Sequence, residues 1–378
     1  MKLVIDDKIP FIHEAASRFG ECIFLPGAAI TATDVHDADV LIVRTRTRVD
    51  RTLLDGSKVQ LVVTATIGHD HIDKNYLAER HIAWSNCPGC NATSVAQYVR
   101  NSLWIAAAAG HFDFLLPHAP AVFPLPDSSK HNAVPSESTI PPSQRIYATL
   151  RGLTVGIVGV GNVGSAVVAA LEAEGCKVLR CDPPKNEPYR LSQLAERADV
   201  ITFHTPLTYG GEHPTYHLAN KAFFDSLRRC KVFINAARGE CVDTTAIRQA
   251  LAEGRIRCAI VDTWENEPDI SLPLLRQTLI ATPHIAGYSA DGKANGTRMS
   301  LEAVAHHFSL PYHQFDVQPP ALPAGFAYGT LPAAWAKRLP LTALEQLRRY
   351  NPLTDSEQLK AHPESFEKQR GNYPLRRE

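Results

Sequence analysis

The sequence predicts an α/β protein: a Rossmann-type doubly wound parallel sheet, a second flavodoxin-like α/β domain, and a small C-terminal region. Three observations predict it. Short apolar runs alternate with helix-length segments along most of the 378 residues, and such alternation calls for parallel strands joined by crossover helices. A proline- and serine-rich stretch interrupts that alternation once. A glycine-rich turn, "GVGNVG", follows directly on one apolar run and opens a helical one.

Taken in order, "KLVI", "CIFLP", "DVLIVRT", "LVVTAT" and "IAWSN" read as five short buried strands. A helix is expected over "NATSVAQYVRNSLWIAAAAG", with Asn91 as its N-cap and Gly110 as its stop. Residues 111–149 contain "LLPHAPAVFPLPDSSKHNAVPSESTIPPSQ", whose repeated prolines interrupt helix and ladder alike, so an exposed insertion is expected. Six further strands follow, in "GLTVGIVGVG", "KVLRCD", "DVITFHTP", "KVFINAARG", "IRCAIVDTW" and "TLIATPH". Beyond residue 310 the chain is proline-rich, then helical through "LPLTALEQLRRY", and ends in a charged tail.

Composition narrows the function. Lys+Arg and Asp+Glu both number 39, so no net field draws the chain to nucleic acid or anionic lipid. No run approaches the roughly 20 apolar residues of a membrane span, and the start, "MKLVIDDKIPF", is too short in apolar residues for a secretory leader. A cytoplasmic protein with neither nucleic-acid nor membrane partners is expected. Eight cysteines scattered through strands and helices favour reduced thiols. Cys87 and Cys90 have C-x-x-C spacing, but no second pair completes a zinc set, so a Pro-Gly turn is expected there and no metal.

Gly159, Gly161 and Gly164 satisfy G-x-G-x-x-G. The first permits a tight turn, the second lets backbone approach a pyrophosphate, and the third packs helix on strand. The helix that opens at Asn162 and Val163 offers its N-terminal N–H groups and dipole to phosphates. Asp182 ends the next strand, where a carboxylate accepts ribose hydroxyls and repels a 2′-phosphate. The expected cofactor is NAD.

Ligands of open α/β sheets sit beyond the carboxyl ends of the strands. Those ends carry Thr205, Arg238, Glu267 and His284. A histidine can take the hydroxyl proton of a 2-hydroxy acid as hydride leaves carbon, a carboxylate can orient and stabilise it, and an arginine fork can hold the substrate carboxylate. His284, Glu267 and Arg238 are the expected catalytic residues.

At these residues the chain closely resembles the D-isomer-specific 2-hydroxyacid dehydrogenases. The resemblance rests on "TATIGHDHID", "PGCNA", "TVGIVGVGNVG", "CDPP", "FHTPL", "INAARG", "TPHIAGY" with "GKANGT", and "FEKQRGNYPLRRE". It implies that Arg238 and Glu267 act in the active site and that His284 transfers the proton. It also implies that Asp182, Thr205, Asp262, Gly287 and the Asn162–Val163 backbone meet NAD, and that Thr45, Thr66 and Tyr288 meet substrate. Residues 1–88, rejoined by 285–309, are then the substrate-binding domain, 89–284 the NAD domain with its insertion at 111–149, and 310–378 a dimerisation region of a homodimer. Threonine stands at 45 where the family usually has serine, and the hydroxyl survives.

The members resembled act on a small phosphorylated 2-hydroxy acid, whose phosphate needs positive charge. Arg44, Arg46 and Arg48 alternate in "VRTRTRVD", and in an extended strand they would form one basic row. Arg44, with Lys293, is the expected phosphate contact. Two other readings stay open: a dehydrogenase for another acid such as 3-phosphoglycerate or glyoxylate, and an NAD-sensing, corepressor-like binding protein.

Overall fold

The computed structural model describes residues 1–116, 147–311, 317–373 and 376–378. Its chain divides into two compact units, one of Met1–Ala96, Gly287–Gly325 and Tyr373–Glu378, the other of Gln97–Ala286 and Phe326–Asn372. Most of the expected insertion, 117–146, lies outside the described residues.

In the first unit β1 (Lys2–Asp6), β2 (Glu21–Leu25), β3 (Val40–Val43), β4 (Leu61–Thr64) and β5 (Ala83–Ser85) form a parallel sheet of order β2-β1-β3-β4-β5. This is the flavodoxin-like order. Its inner strands β1, β3 and β4 read as near-continuous apolar runs because both faces are buried, while β2 and β5 at the edges are only partly buried. Leu3, Ile5, Ile42 and Val63 pack on one side with Leu301 and Val304 of the helix Ala290–His307. Val4, Leu41, Val43 and Val62 pack on the other with Leu54 and Leu77.

The second unit holds β6 (Thr154–Val158), β7 (Lys177–Cys181), β8 (Val200–Phe203), β9 (Val232–Asn235), β10 (Cys258–Val261) and β11 (Ile280–Ala281). All are parallel, in the order β11-β10-β9-β8-β6-β7. After β6 the chain pairs first on one side, with β7, and then on the other, with β8. That reversal opens a crevice at the carboxyl end of β6, where "GVGNVG" lies.

Residues 310–378 form no compact unit of their own. Leu359 and Phe366 are buried in the core of the second unit, and the helix Pro352–Ala361 covers the edge strand β11. There the Ala281 N–H donates to Ser356 Oγ at 2.9 Å, and Lys360 Nζ donates to the Thr278 carbonyl at 2.6 Å. An edge strand this short needs such a cover for its unpaired backbone groups.

Three local expectations are corrected. The helix starts at Ala92, but Asn91 Oδ1 accepts no hydrogen bond. The Asn91 amide instead packs on Gly287, where an added Cβ would stand 2.2 Å from Nδ2. Arg44, Arg46 and Arg48 form no strand row, because β3 ends at Val43 and the chain turns at once. Arg44 is claimed by fully buried Asp6, with Nε 3.0 Å from Oδ2, and Arg48 by Asp50 at 2.8 Å. Finally, β11 stops at Ala281, so His284 lies on a turn beyond the strand.

Candidate active site

The glycine turn shows why each glycine is needed. Gly159 has φ +86°, and a Cβ there would come within 2.8 Å of the His204 carbonyl. At Gly164 a Cβ would lie 2.0 Å from the Gly159 carbonyl oxygen, so only glycine lets the helix Asn162–Ala173 start so close. A Cβ on Gly161 would meet nothing within 4 Å. Packing therefore does not require Gly161; an open cradle before a helix N-terminus does, and a pyrophosphate fits it. Asp182 lies alongside, its Oδ2 accepting the Val160 N–H at 2.8 Å. Thr205 Cγ2 stands within 2.9 Å of where a Gly159 Cβ would be, which puts Thr205 against the same turn. Of the NAD residues expected from sequence, Gly159, Gly161, Gly164, Asp182 and Thr205 gather around β6, β7 and β8, whereas Asp262 follows β10 and Gly287 belongs to the first unit.

Two of the catalytic candidates, Glu267 and His284, meet beyond the next strand ends, and Arg238 lies on the neighbouring loop. Gly239 allows the loop after β9 to touch the loop after β10, since a Cβ there would overlap the Trp264 carbonyl at 1.8 Å. Asn235 adds a tie, its Nδ2 donating to the Thr263 carbonyl at 3.1 Å. Half-buried Arg238 precedes that contact, with Nη1 donating to the Ala237 carbonyl at 2.8 Å. Glu267 sits on the second of these loops. Its Oε1 accepts the Trp264 N–H at 2.9 Å, and its Oε2 lies 2.8 Å from His284 Nδ1. Burial opposes ionisation of Glu267, but the hydrogen bond and charge of His284, the Trp264 N–H and Arg370 outweigh it and hold the carboxyl below its ordinary value. A carboxylate only accepts, so Nδ1 carries the hydrogen and Nε2 keeps a lone pair.

His284 has φ +56°, a conformation that L residues rarely adopt. Asp262 enforces it. Its carbonyl accepts the His284 N–H at 2.8 Å, and its carboxylate accepts from Thr282 Oγ1 at 2.6 Å and from the Ile285 and Ala286 N–H groups. Sequence reading expected Asp262 at the cofactor; the structure shows it organising the turn that presents the imidazole. Burial raises its carboxyl above the ordinary value, against the charge of His284 and those hydrogen bonds. Arg370, 3.7 Å from Glu267 Oε2, went unseen as a site residue in the sequence, where its segment "FEKQRGNYPLRRE" carries the family resemblance but assigns the arginine no role.

The expected substrate residues belong to the first unit. Thr45 is exposed on the turn after β3. Thr66 Oγ1 contacts Thr64 Oγ1 at 2.8 Å and donates to the Gly68 carbonyl. Lys293 Nζ lies 4.2 Å above the Tyr288 ring. Arg376, 1% exposed, donates to the Tyr288 carbonyl and, at 3.0 Å, to that of Ser94. Cys87 and Cys90 are buried free thiols flanking a turn, pushed up to about 11 and about 12 by burial.

Comparison with known proteins decides the family. Residues 128–286 match the model of the D-isomer specific 2-hydroxyacid dehydrogenase NAD binding domain. Over the whole chain, the sequence is 45% identical to an erythronate-4-phosphate dehydrogenase of Bacteroides thetaiotaomicron, 97% of which is covered.

The chain belongs to the D-isomer-specific 2-hydroxyacid dehydrogenases.

Among the other members of this family, an erythronate-4-phosphate dehydrogenase of Porphyromonas gingivalis is 37% identical, with 100% of this chain and 94% of the relative covered. The fold is shared with D-lactate dehydrogenase from Aquifex aeolicus, solved with NAD and lactic acid. That match has a TM-score of 0.58 and 23% identity, covering 82% of this chain and 96% of that one. As a 2-hydroxyacid dehydrogenase the protein is an oxidoreductase, and its cofactor is NAD. Among the described residues no helix is long and apolar enough to cross a membrane.

Proposed function

We propose that this protein is an erythronate-4-phosphate dehydrogenase. It would oxidise 4-phospho-D-erythronate to (R)-3-hydroxy-2-oxo-4-phosphooxybutanoate in a cytoplasmic route to pyridoxal 5′-phosphate. The substrate name is that of full-length relatives at 37 to 45% identity. The observation that carries the chemistry is the His284–Glu267 pair, with Nδ1 engaged at 2.8 Å and Nε2 left for substrate.

In this reading NAD, when bound, supplies the hydride acceptor. The chain does the rest. His284 Nε2 takes the proton of the C2 hydroxyl, which lets the carbonyl form. Glu267 holds the ring in the required tautomer and stabilises the imidazolium. Arg238 pairs with the substrate carboxylate, and its fixed planar charge also favours the carbonyl oxygen as it polarises. Gly161 and the N–H groups at Asn162 and Val163 hold the pyrophosphate, and Asp182 takes the ribose hydroxyls. Thr205, Asp262 and Gly287 complete the NAD side, and Thr45, Thr66 and Tyr288 the substrate side.

The protein would act as a homodimer through residues 310–378. Support comes from Leu341, 77% exposed, and Phe326, 39% exposed, large apolar side chains in that segment. Light scattering on the purified protein tests it, a monomer mass at working concentration ruling it out.

The substrate assignment is tested with a panel of 2-hydroxy acids, following NADH absorbance. The highest kcat/KM is expected for 4-phosphoerythronate. Equal turnover of unphosphorylated erythronate would refute the phosphate-selective reading.

A further inference from the structure

The carboxylate that orients His284 faces a second cation, delivered by the C-terminal segment. The helix Phe366–Gly371 is anchored by Phe366, which is 1% exposed in the core of the second unit. Four positions on, one helical turn, Arg370 falls on the same face. Its Nη1 lies 3.7 Å from Glu267 Oε2 and 3.6 Å from Glu367 Oε1. Glu267 Oε2 is the same oxygen that lies 2.8 Å from His284 Nδ1. One carboxylate oxygen is therefore shared between an imidazole and a guanidinium.

We infer that Arg370 is a positioning residue for the His284–Glu267 pair: it keeps Glu267 ionised while taking part of its charge, and so sets the acid limb of the activity profile. The inference rests on the reading of His284 as the acid–base group.

The physics follows from the groups around Glu267. Burial works against its charge, and the His284 and Trp264 contacts work for it, as does Arg370. From β10 and its loop, Asp262 also faces His284, whereas Glu265 is turned to His217 Nε2 at 2.6 Å and to the Thr244 N–H. The C-terminal helix contributes Arg370, with Glu367 paired to it. Arg370 acts by charge rather than by hydrogen bonding, since 3.7 Å exceeds hydrogen-bond reach. With Arg370 gone, the imidazolium becomes the only cation among the described residues on Glu267 Oε2 and is held more tightly. Oxidation requires the neutral ring, so activity is then lost at a higher pH. The Arg370 side chain is 29% exposed, and solvent screening limits the shift to about half a pH unit.

The test compares wild type, Arg370→Gln and Arg370→Lys. The acid limb of kcat/KM for 2-hydroxy acid oxidation is expected to move up by about half a pH unit in R370Q and to return toward wild type in R370K. The KM for NAD should not change. An unmoved acid limb in R370Q overturns the inference. In parallel, the Glu267 carboxyl is titrated by carbon-13 NMR on glutamate-labelled protein, assigned with Glu267→Gln. Its midpoint should rise in R370Q, and an unchanged midpoint also overturns the inference. If wild type oxidises no 2-hydroxy acid, the functional reading fails, while the carboxyl titration still decides whether Arg370 acts on the pair.

Discussion

Glu267 and His284 stand 17 positions apart in sequence and 2.8 Å apart at Oε2 and Nδ1. The pair exists because Asp262, 2% exposed, folds the segment after β11 back on itself and holds His284 in a left-handed turn. A carboxylate and an imidazole placed this way leave Nε2 as the exchangeable position.

Replacing His284 by Asn should therefore separate chemistry from binding. The turnover of the variant is expected to fall by about 10²- to 10⁴-fold, with NAD affinity close to that of wild type. Initial rates and a fluorescence titration with NAD check both halves. Near-normal turnover would remove His284 from the mechanism.

The two inner glycines should fail in different ways. Gly164→Ala puts a Cβ 2.0 Å from the Gly159 carbonyl oxygen and is expected to destabilise the fold by about 1–3 kcal/mol. Gly161→Ala meets nothing within 4 Å, so its unfolding midpoint should match wild type while NAD binding weakens. Undiminished NAD affinity in G161A would contradict the cradle.

Arg44 tests whether a basic residue near the expected substrate side is structural. Asp6 is fully buried and its ion pair with Arg44 is largely shielded, so Arg44→Ala leaves a buried carboxylate without its cation. A loss of about 3 kcal/mol in urea unfolding is expected, partly recovered by adding Asp6→Asn. If R44A is as stable as wild type and only the KM for the phosphorylated acid rises, Arg44 belongs to the substrate instead.

Glu267 should leave a trace in acid stability. Its carboxyl is held below the ordinary 4.5, so the folded state binds the proton less readily than the unfolded chain. That contribution is fully present above about pH 4.5 and is lost as pH falls through the lower folded value. The stability gap between wild type and Glu267→Gln is thus expected to narrow on acidification below that pH. Urea unfolding at several acidic pH values measures it, and a gap that stays constant would show that the carboxylate is not stabilised by its neighbours.

How much of this was legible in the chain follows from the range of each force. The inner strands were readable because a strand buried on both faces must be apolar at every position, as "VLIV" at 40–43 and "VFIN" at 232–235 nearly are, while the partly exposed β2, β5 and β7 were readable only from shorter apolar runs. The glycine turn was readable for a similar local reason: its constraints act between residues a few positions apart. The row of Arg44, Arg46 and Arg48 was misread because alternation has meaning only while a strand persists, and the end of β3 depends on its partners.

The sequence by itself determined the two parallel-sheet domains, the NAD turn at Gly159–Gly164 and which polar side chains end the strands, since hydrophobic period and glycine geometry are local properties. Only the tertiary structure decided that Asp6 claims Arg44 across 38 positions, that Asp262 builds the His284 turn, and that Arg370 reaches Glu267. Charges and hydrogen-bonding groups act through space, and a buried carboxylate takes whichever donor the completed fold brings within a few ångströms.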